Sequence, residues 1–596
     1  MFDIFLTYYG CMPFMKNPPK LHRKRKESVG RLKPPHVSPP ENSSPILLND
    51  IKLLFSKDGF LRNAFFLSPI PSLLFLAVSL TWFARDLGPN VYLGYLQADQ
   101  PTYTAIARSV IQRGNGLFYS NPFDYVWEAP RVLSNFGYIL LGWLFYISGY
   151  RTIVIWEIWR IFWGALSMGL FAIMVAKLIS NNRIRWWSFL VGAFGAGMAW
   201  LFVMDRLLGG SGKQWLDIYR EVEGEYSWWC LNLFRQSLYP MELQYHTLFL
   251  GALLLYLEKR RTLLVILIFI LWWTHSITAI LTTTIIGLCT ISDLILEKNR
   301  KDLFSLISLC VLTALFYFYY QLYLPTFPSV KSWIEQTLQF NPSMKVSDWF
   351  LAYGILISAL PVMLLYKPLR KFMFGERNGR LVLFWGMAAI AWTCNQYFLS
   401  RPIQPMHFSR GYIYLFLVLV LSKGIEFFLE KHKVSTTKSA TLLIMAISIP
   451  LFMGDNILFL TRLTLEPPKQ DRLVITHEGK EVINYLRHQP GSLVIFTTDM
   501  ELGILIVAHT NHRVFASEQY LTPFFDIRIN SALSSFNRGD TLSLQALGIN
   551  SIILTNRNGL VFPDWTRNAK NYQISFNNSL YQVGKLGATS EHQQDK

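Results

Sequence analysis

Charge and cysteine are what this sequence has least of. Only 16% of its 596 residues are charged, against 52% hydrophobic and 15% aromatic. A soluble globular chain carries about 25% charged residues, so an ordinary water-soluble enzyme is excluded. The five cysteines, Cys11, Cys230, Cys289, Cys310 and Cys394, form no Cys-x-x-Cys pair and no zinc spacing. That excludes a disulfide framework and a cysteine metal centre. The chain also lacks a Gly-x-x-x-x-Gly-Lys phosphate loop, a His-Glu-x-x-His pair and a repeat of solenoid period. What it has instead is apolar blocks long enough to cross a bilayer, which takes about 20 residues per helix.

The charge that is present is lopsided, with 56 Lys and Arg against 38 Asp and Glu, a net +18. In a soluble chain this excess would point to nucleic acid. Here it gathers in short clusters between apolar blocks, as in the cytoplasmic loops of membrane proteins, and no nucleic-acid partner is expected. Residues 1–60 are basic and proline-rich, with the run His22-Arg23-Lys24-Arg25-Lys26. They lack the apolar core and cleavage site of a signal peptide, and their composition predicts a disordered cytoplasmic tail.

Apolar segments are read at 65–86, 152–179, 186–207, 238–257, 303–323, 349–366, 381–399, 411–429 and 440–460. The stretch 262–296 has basic residues at both ends, so it must cross an even number of times. Two short helices with a turn near Thr274-His275-Ser276 satisfy this. The fold class expected is therefore a polytopic α-helical membrane protein of about eleven spans, residues 61–465. Its N-terminus is cytoplasmic and its C-terminus outside, because every basic cluster then falls on one side. Residues 466–596 read as a small extracytoplasmic α/β domain. It has buried strands at Leu493–Phe496 and Ser551–Leu554, an amphipathic helix at Lys480–His488, and Gly548 just before the second strand.

The most informative segment lies in the long external loop 87–150: Ala98-Asp99-Gln100-Pro101-Thr102-Tyr103-Thr104-Ala105-Ile106-Ala107-Arg108. It reads as a helix start, with Asp99 as N-cap accepting the Thr102 amide and Pro101 in the first turn. Capping and catalysis are compatible, because a carboxylate that begins a helix is held rigidly. An acidic residue just after the first span, followed by Tyr103 and Ala107-Arg108 on a short helix, resembles the first external loop of the GT-C superfamily. These are membrane glycosyltransferases that use polyprenyl-phosphate sugars. The pattern is most similar to the protein O-mannosyltransferase and aminoarabinose transferase group. Gln100 stands where that group often has a second acid. Tyr119–Phe123, Pro130-Arg131, Arg513–Phe515 and Thr522-Pro523 are similar in style.

The resemblance implies that a carboxylate corresponding to Asp99 takes a proton from an acceptor hydroxyl on a glycan, lipid or protein. That hydroxyl attacks the anomeric carbon while polyprenyl phosphate leaves, and cations should surround the leaving phosphate. Substrate-binding candidates are Tyr103, Arg108, Arg131, His275, Arg401, His407 and Arg410. Three of these fall within Arg401–Arg410, a link stiffened by Pro402 and Pro405. Arg235 is a weaker candidate. No metal ligand is assigned. A divalent cation at Glu221 and Glu223 is weighed against a merely solvated loop, and Asp124 and Glu128 are weighed as a second carboxylate. Two alternatives stand beside the glycosyltransferase. One is a non-catalytic GT-C-fold assembly factor. The other is a transporter or flippase of lipid-linked saccharide, although no duplicated halves are seen.

Overall fold

The computed structural model describes residues 59–587, apart from 113–114, 127, 211, 224–231, 299, 340–345, 433–437, 470–471, 557–562, 564 and 569–570. The basic head up to residue 58, and Gly224 and Glu225 of the glutamate-rich loop, lie outside the described residues. The described residues belong to one compact unit.

Helices occupy the apolar segments. Among the described residues five, Gly59–Ala84, Thr152–Leu178, Ser276–Leu296, Lys301–Thr326 and Pro405–Lys431, are long and apolar enough to cross a membrane, or six if one bent pair is counted. The shorter helices include Arg261–Thr274, whose 14 residues span about 21 Å, less than a bilayer's hydrocarbon core. It ends at Thr274, and Ser276–Leu296 begins after His275, which is where the sequence places a turn.

Three segments depart from expectation, the simplest being 349–366, which is two helices, Val346–Tyr353 and Ile355–Leu365, parted at Gly354. The stretch 186–207 is not one straight helix. Asn182–Phe194 and Ala199–Leu208 meet at a 75° bend. The bend is at Gly195-Ala196-Gly197, and neighbouring elements satisfy the backbone groups it frees. The Asn456 side chain donates to the Phe194 and Gly195 carbonyls at 2.8 and 3.2 Å. The Ala196 amide donates to Phe452 at 2.7 Å, and the Met198 amide to Leu351 at 3.1 Å. Unsatisfied backbone is costly in an apolar surrounding, so a break persists only where neighbours close it. The last departure is within 87–150, where an apolar helix, Phe136–Ile147, follows the Asp99 segment. Its 12 residues reach about 18 Å, too short for a span, and a window tuned to spans passes over it.

The C-terminal region is α/β, as its sequence suggests. A five-stranded sheet runs β4-β3-β5-β7-β6, comprising β3 Val494–Thr497, β4 Arg513–Val514, β5 Ser551–Thr555, β6 Tyr572–Asn577 and β7 Tyr581–Leu586. β3 is parallel to β4 and β5, and β7 is antiparallel to β5 and β6. The expected amphipathic helix is His477–Arg487, capped by the Thr476 side chain. Gly548, at φ +84°, makes the turn into β5 at no steric cost.

This region is tied to the first loop. β1, Asn90–Tyr92, pairs antiparallel with β2, Val474–Thr476, with Val91 opposite Ile475. The helix Gln100–Ile111 packs between Phe136–Ile147 and Met500–His509. Ala105 joins the buried cluster of Leu502, Leu505 and Ile506. The helix that starts at Asp99 is thus wedged between the helical bundle and the α/β region.

Candidate functional site

Asp99 initiates the helix Gln100–Ile111, but its carboxylate does not cap it. The residue has φ −83° and ψ −12°, already helical, so its side chain is not aimed back at the first-turn amides. Instead the Gln97 amide Nε2 donates to the Asp99 carboxylate at 2.5 Å. The turn before the helix is closed by Gln100. Its Oε1 accepts from the Leu96 and Gln97 amides at 2.8 and 3.0 Å, and the residue is fully buried. The residue that breaks the acidic pair of the motif therefore serves the backbone, which leaves the Asp99 carboxylate available.

That carboxylate lines a small pocket with Gln97, Tyr103, Tyr239, Pro240, Met241, Glu242 and Arg410. Three parts of the chain meet here. Asp99 and Tyr103 share a face of one helix at i and i+4. Glu242 lies in the first turn of the helix Pro240–Leu257, whose Pro240 is favoured at such a start. Arg410 follows the short 3-10 turn Pro405–Phe408, between Gln404 and Gly411, both left-handed. Arg410 is ion-paired to Glu242, and its Nη2 lies 2.9 Å from His407 Nε2. Its carbonyl is 2.6 Å from His246 Nε2.

His275, between its two helices, stacks on Tyr245 with ring centres 4.0 Å apart and lies 6.3 Å from the His407 ring. Its Nδ1 is 2.7 Å from Thr278 Oγ1, which in turn meets the Tyr412 hydroxyl at 2.8 Å. His275 therefore belongs to a stacked, hydrogen-bonded layer adjoining the pocket. Burial pushes the Tyr103 phenol well above its ordinary range, and the Asp99 charge adds to the push. Tyr103 is therefore a neutral hydroxyl beside the carboxylate.

The structure brings Asp99, Tyr103 and Arg410 to one pocket, with His407 on Arg410 and His275 beside His407. It does not bring the others. Arg108 is buried elsewhere. Its Nη1 donates to the Ala508 carbonyl at 2.5 Å, and its guanidinium lies 5.1 Å from the Tyr150 ring centre, joining the helix to the C-terminal region. Arg131 and Arg401 are exposed on loops. Arg235 is buried in an ion pair with Asp455 at 3.2 Å. Asp124 pairs with Arg528 at 2.9 Å. Glu221 is exposed between Arg206 and Lys213. Among the described residues, no group of three His, Cys, Asp or Glu is placed to hold a metal ion.

Sequence reasoning missed Glu242. Its one available signal was an acid at the head of an apolar helix, which in a membrane chain marks a functional position by default. Arg472 and Glu518, discussed below, carried no local signal.

The elements and the pocket define a multi-pass helical membrane protein with an α/β region and a mixed acidic and basic pocket where the first-loop helix meets the bundle. No protein-family model matches the sequence, and no curated protein matches it. Among solved structures, the chain is similar to the archaeal oligosaccharyltransferase AglB from Archaeoglobus fulgidus, in complex with an inhibitory peptide and a dolichol-phosphate. The TM-score is 0.39 at 12% identity, covering 81% of this chain and 69% of that one. It is also similar to an Archaeoglobus fulgidus oligosaccharyltransferase in complex with Zn and sulfate, with TM-score 0.38 at 11% identity, covering 81% and 68%. No residue role is carried across these likenesses.

Proposed function

We propose that the chain is an integral-membrane glycosyltransferase of the GT-C type. It moves a sugar from a polyprenyl-phosphate donor to an acceptor hydroxyl on the extracytoplasmic side, with Asp99 as general base. The observation that carries this reading is the pocket. It sets a rigidly held carboxylate at a helix start across from Arg410, with His407 behind the arginine. The carboxylate is placed to take the acceptor's proton as the glycosidic bond forms. The arginine faces the place where phosphate oxygens gain charge as the donor bond breaks.

Eleven crossings, a cytoplasmic N-terminus and an external domain from residue 466 belong to the same proposal. Support comes from the helices that lie in the apolar segments, five or six of which are long and apolar enough to cross among the described residues, and from the spacing of the basic clusters in the sequence. Arg131 and Arg401, which are exposed, are kept only as outer contacts to substrate, while buried Arg108 is kept as a brace between the helix and the C-terminal region.

The test is transfer of label from a panel of polyprenyl-phosphate sugars, comparing wild type with Asp99→Asn at equal expression. Transfer by wild type and loss in the variant supports the base. Equal transfer by both removes Asp99 from the chemistry and points to Glu242. One observation favours a second reading, a non-catalytic assembly factor. The pocket's arginine is already neutralised by Glu242. Glu242→Gln separates the two, because an enzyme whose Arg410 must meet a phosphate keeps or gains donor affinity when this competitor is removed.

A further inference from the structure

The chain returns from its last long helix to the Asp99 segment with a charged cluster. Arg472 is held by Glu501, with Nε 2.5 Å from Oε2, and by Glu518, with Nη1 3.0 Å from Oε2. The next residue, Leu473, accepts the Leu93 amide at 2.9 Å, which fixes Arg472 beside the first loop. Glu518 is buried, and its Oε2 also accepts the Thr102 hydroxyl at 3.4 Å. Thr102 lies in the first turn of the helix that Asp99 begins. Asp99 and Arg472 attract each other, and Asp99 and Glu518 repel. The titratable and charged groups facing this place are Asp99, Tyr103, Tyr138, Glu242 and Arg410 from the bundle and first loop, with Arg472, Glu501 and Glu518 from the C-terminal region.

We propose that Arg472 and Glu518 are positioning residues for Asp99, so that the α/β region completes the site. Arg472 pairs with Glu501 and Glu518 and attracts the nearby Asp99 carboxylate, and Glu518 anchors the first helical turn through Thr102. This rests on the reading of Asp99 as the base. A lone carboxylate beside Glu242 and Glu518 would meet like charge on two sides, and Arg472 is the cation that the fold inserts against one of them.

Glu518 reports the coupling directly. Burial pushes its carboxyl above the usual range and the Asp99 charge pushes the same way, while Arg472 pulls it down. The experiment is a pH titration of the full chain in detergent by infrared spectroscopy, with Glu518→Gln used to assign the Glu518 carboxyl band. Asp99→Asn should lower the Glu518 midpoint by about half a unit or more, and Arg472→Gln should raise it by a similar amount. Arg472→Lys, which keeps the charge, should stay near wild type and serves if Arg472→Gln does not fold. Coincident curves for wild type, Asp99→Asn and Arg472→Gln overturn the proposal, and if Arg472→Gln does not fold, coincidence of wild type with Asp99→Asn alone overturns it.

In the transfer assay, Glu518→Gln should move the acid limb of the pH–rate profile. A uniform loss of rate with an unmoved limb assigns Glu518 a merely structural role and also overturns it. Wild type that transfers no sugar from any donor overturns the reading of Asp99 as base. The infrared titration then still decides whether Arg472 and Glu518 are coupled to Asp99.

Discussion

Gly142 controls how closely two helices approach behind Asp99. It faces the helix Gln100–Ile111, and a Cβ added there would lie 2.3 Å from the Ala107 carbonyl oxygen and 3.2 Å from its carbon. Ordinary contact begins near 3.4 Å, so Gly142→Ala must separate the helices by roughly 1 Å. The obstacle is backbone within a helix and cannot rotate away. Over-packing of this kind costs about 1–3 kcal/mol, against which alanine's better helix propensity returns at most about 1 kcal/mol. The functional effect should exceed the loss of stability. The displaced helix carries Asp99 and Tyr103, and misplacing a catalytic group by about 1 Å costs on the order of 10²-fold in rate. The assay is label transfer at saturating donor together with thermal unfolding in detergent. The expected result is a protein that melts slightly lower and transfers sugar far more slowly. Wild-type transfer in a folded Gly142→Ala variant would refute the claim that this contact sets the position of Asp99.

Removing Glu242 as Glu242→Ala strands Arg410 in a buried site. It should destabilise the protein by about 3–5 kcal/mol, read as a lower melting temperature, while Glu242→Gln keeps a hydrogen-bond acceptor and costs less. Glu221→Gln should leave both melting and transfer unchanged, because that side chain only meets Arg206 and Lys213 at the surface. If it abolishes transfer, a cation site there returns to consideration. His509, 3.3 Å from the Tyr95 hydroxyl, is held neutral by burial, with its pKa lowered to about 3. The unfolded chain therefore binds the extra proton first. Stability should be complete above about pH 6.5 and fall by up to about 1.4 kcal/mol per pH unit between 6.5 and 3. Unfolding midpoints of wild type and His509→Gln across that range check this, since the slope should flatten in the variant.

What was legible in the sequence follows from how local each cause is. The long helices could be read because a bilayer demands runs of apolar residues, and the break at His275 because basic residues flank 262–296. The helix Phe136–Ile147 escaped because it is apolar without spanning. The bend at Gly195–Met198 escaped because its stabilising partners, Leu351, Phe452 and Asn456, lie far along the chain. Asp99 was legible as the head of a helix, yet its hydrogen bonding was not. A short-range rule assigns an aspartate at that place to capping, whereas here Gln100 closes the turn and Gln97 holds the carboxylate.

The same distinction explains why the site looked short of an acid. Gln100 replaces an acidic residue locally, and a reading confined to the motif concludes that the second carboxylate is lost. In three dimensions two other acids lie near Asp99, Glu242 in its pocket and Glu518 on Thr102 in the first turn of its helix. Glu242 enters from the bundle, paired with Arg410, and Glu518 enters from the α/β region, paired with Arg472. Each acid arrives with its own arginine, and Coulomb's law makes that pairing necessary. Three neighbouring carboxylates without cations would repel one another at the low effective dielectric of an interior. A motif search counts acids along the chain. The physical constraint acts on charge within a volume, and it selects arginines that enter as partners of acids, one from the bundle and one from the α/β region. Replacing both members of the Arg472–Glu518 pair with Gln should therefore be less damaging than replacing Arg472 alone, and a double-mutant cycle on melting temperature measures that difference. If the double variant is as unstable as the sum of the two single variants, the charges are not acting as a balanced set.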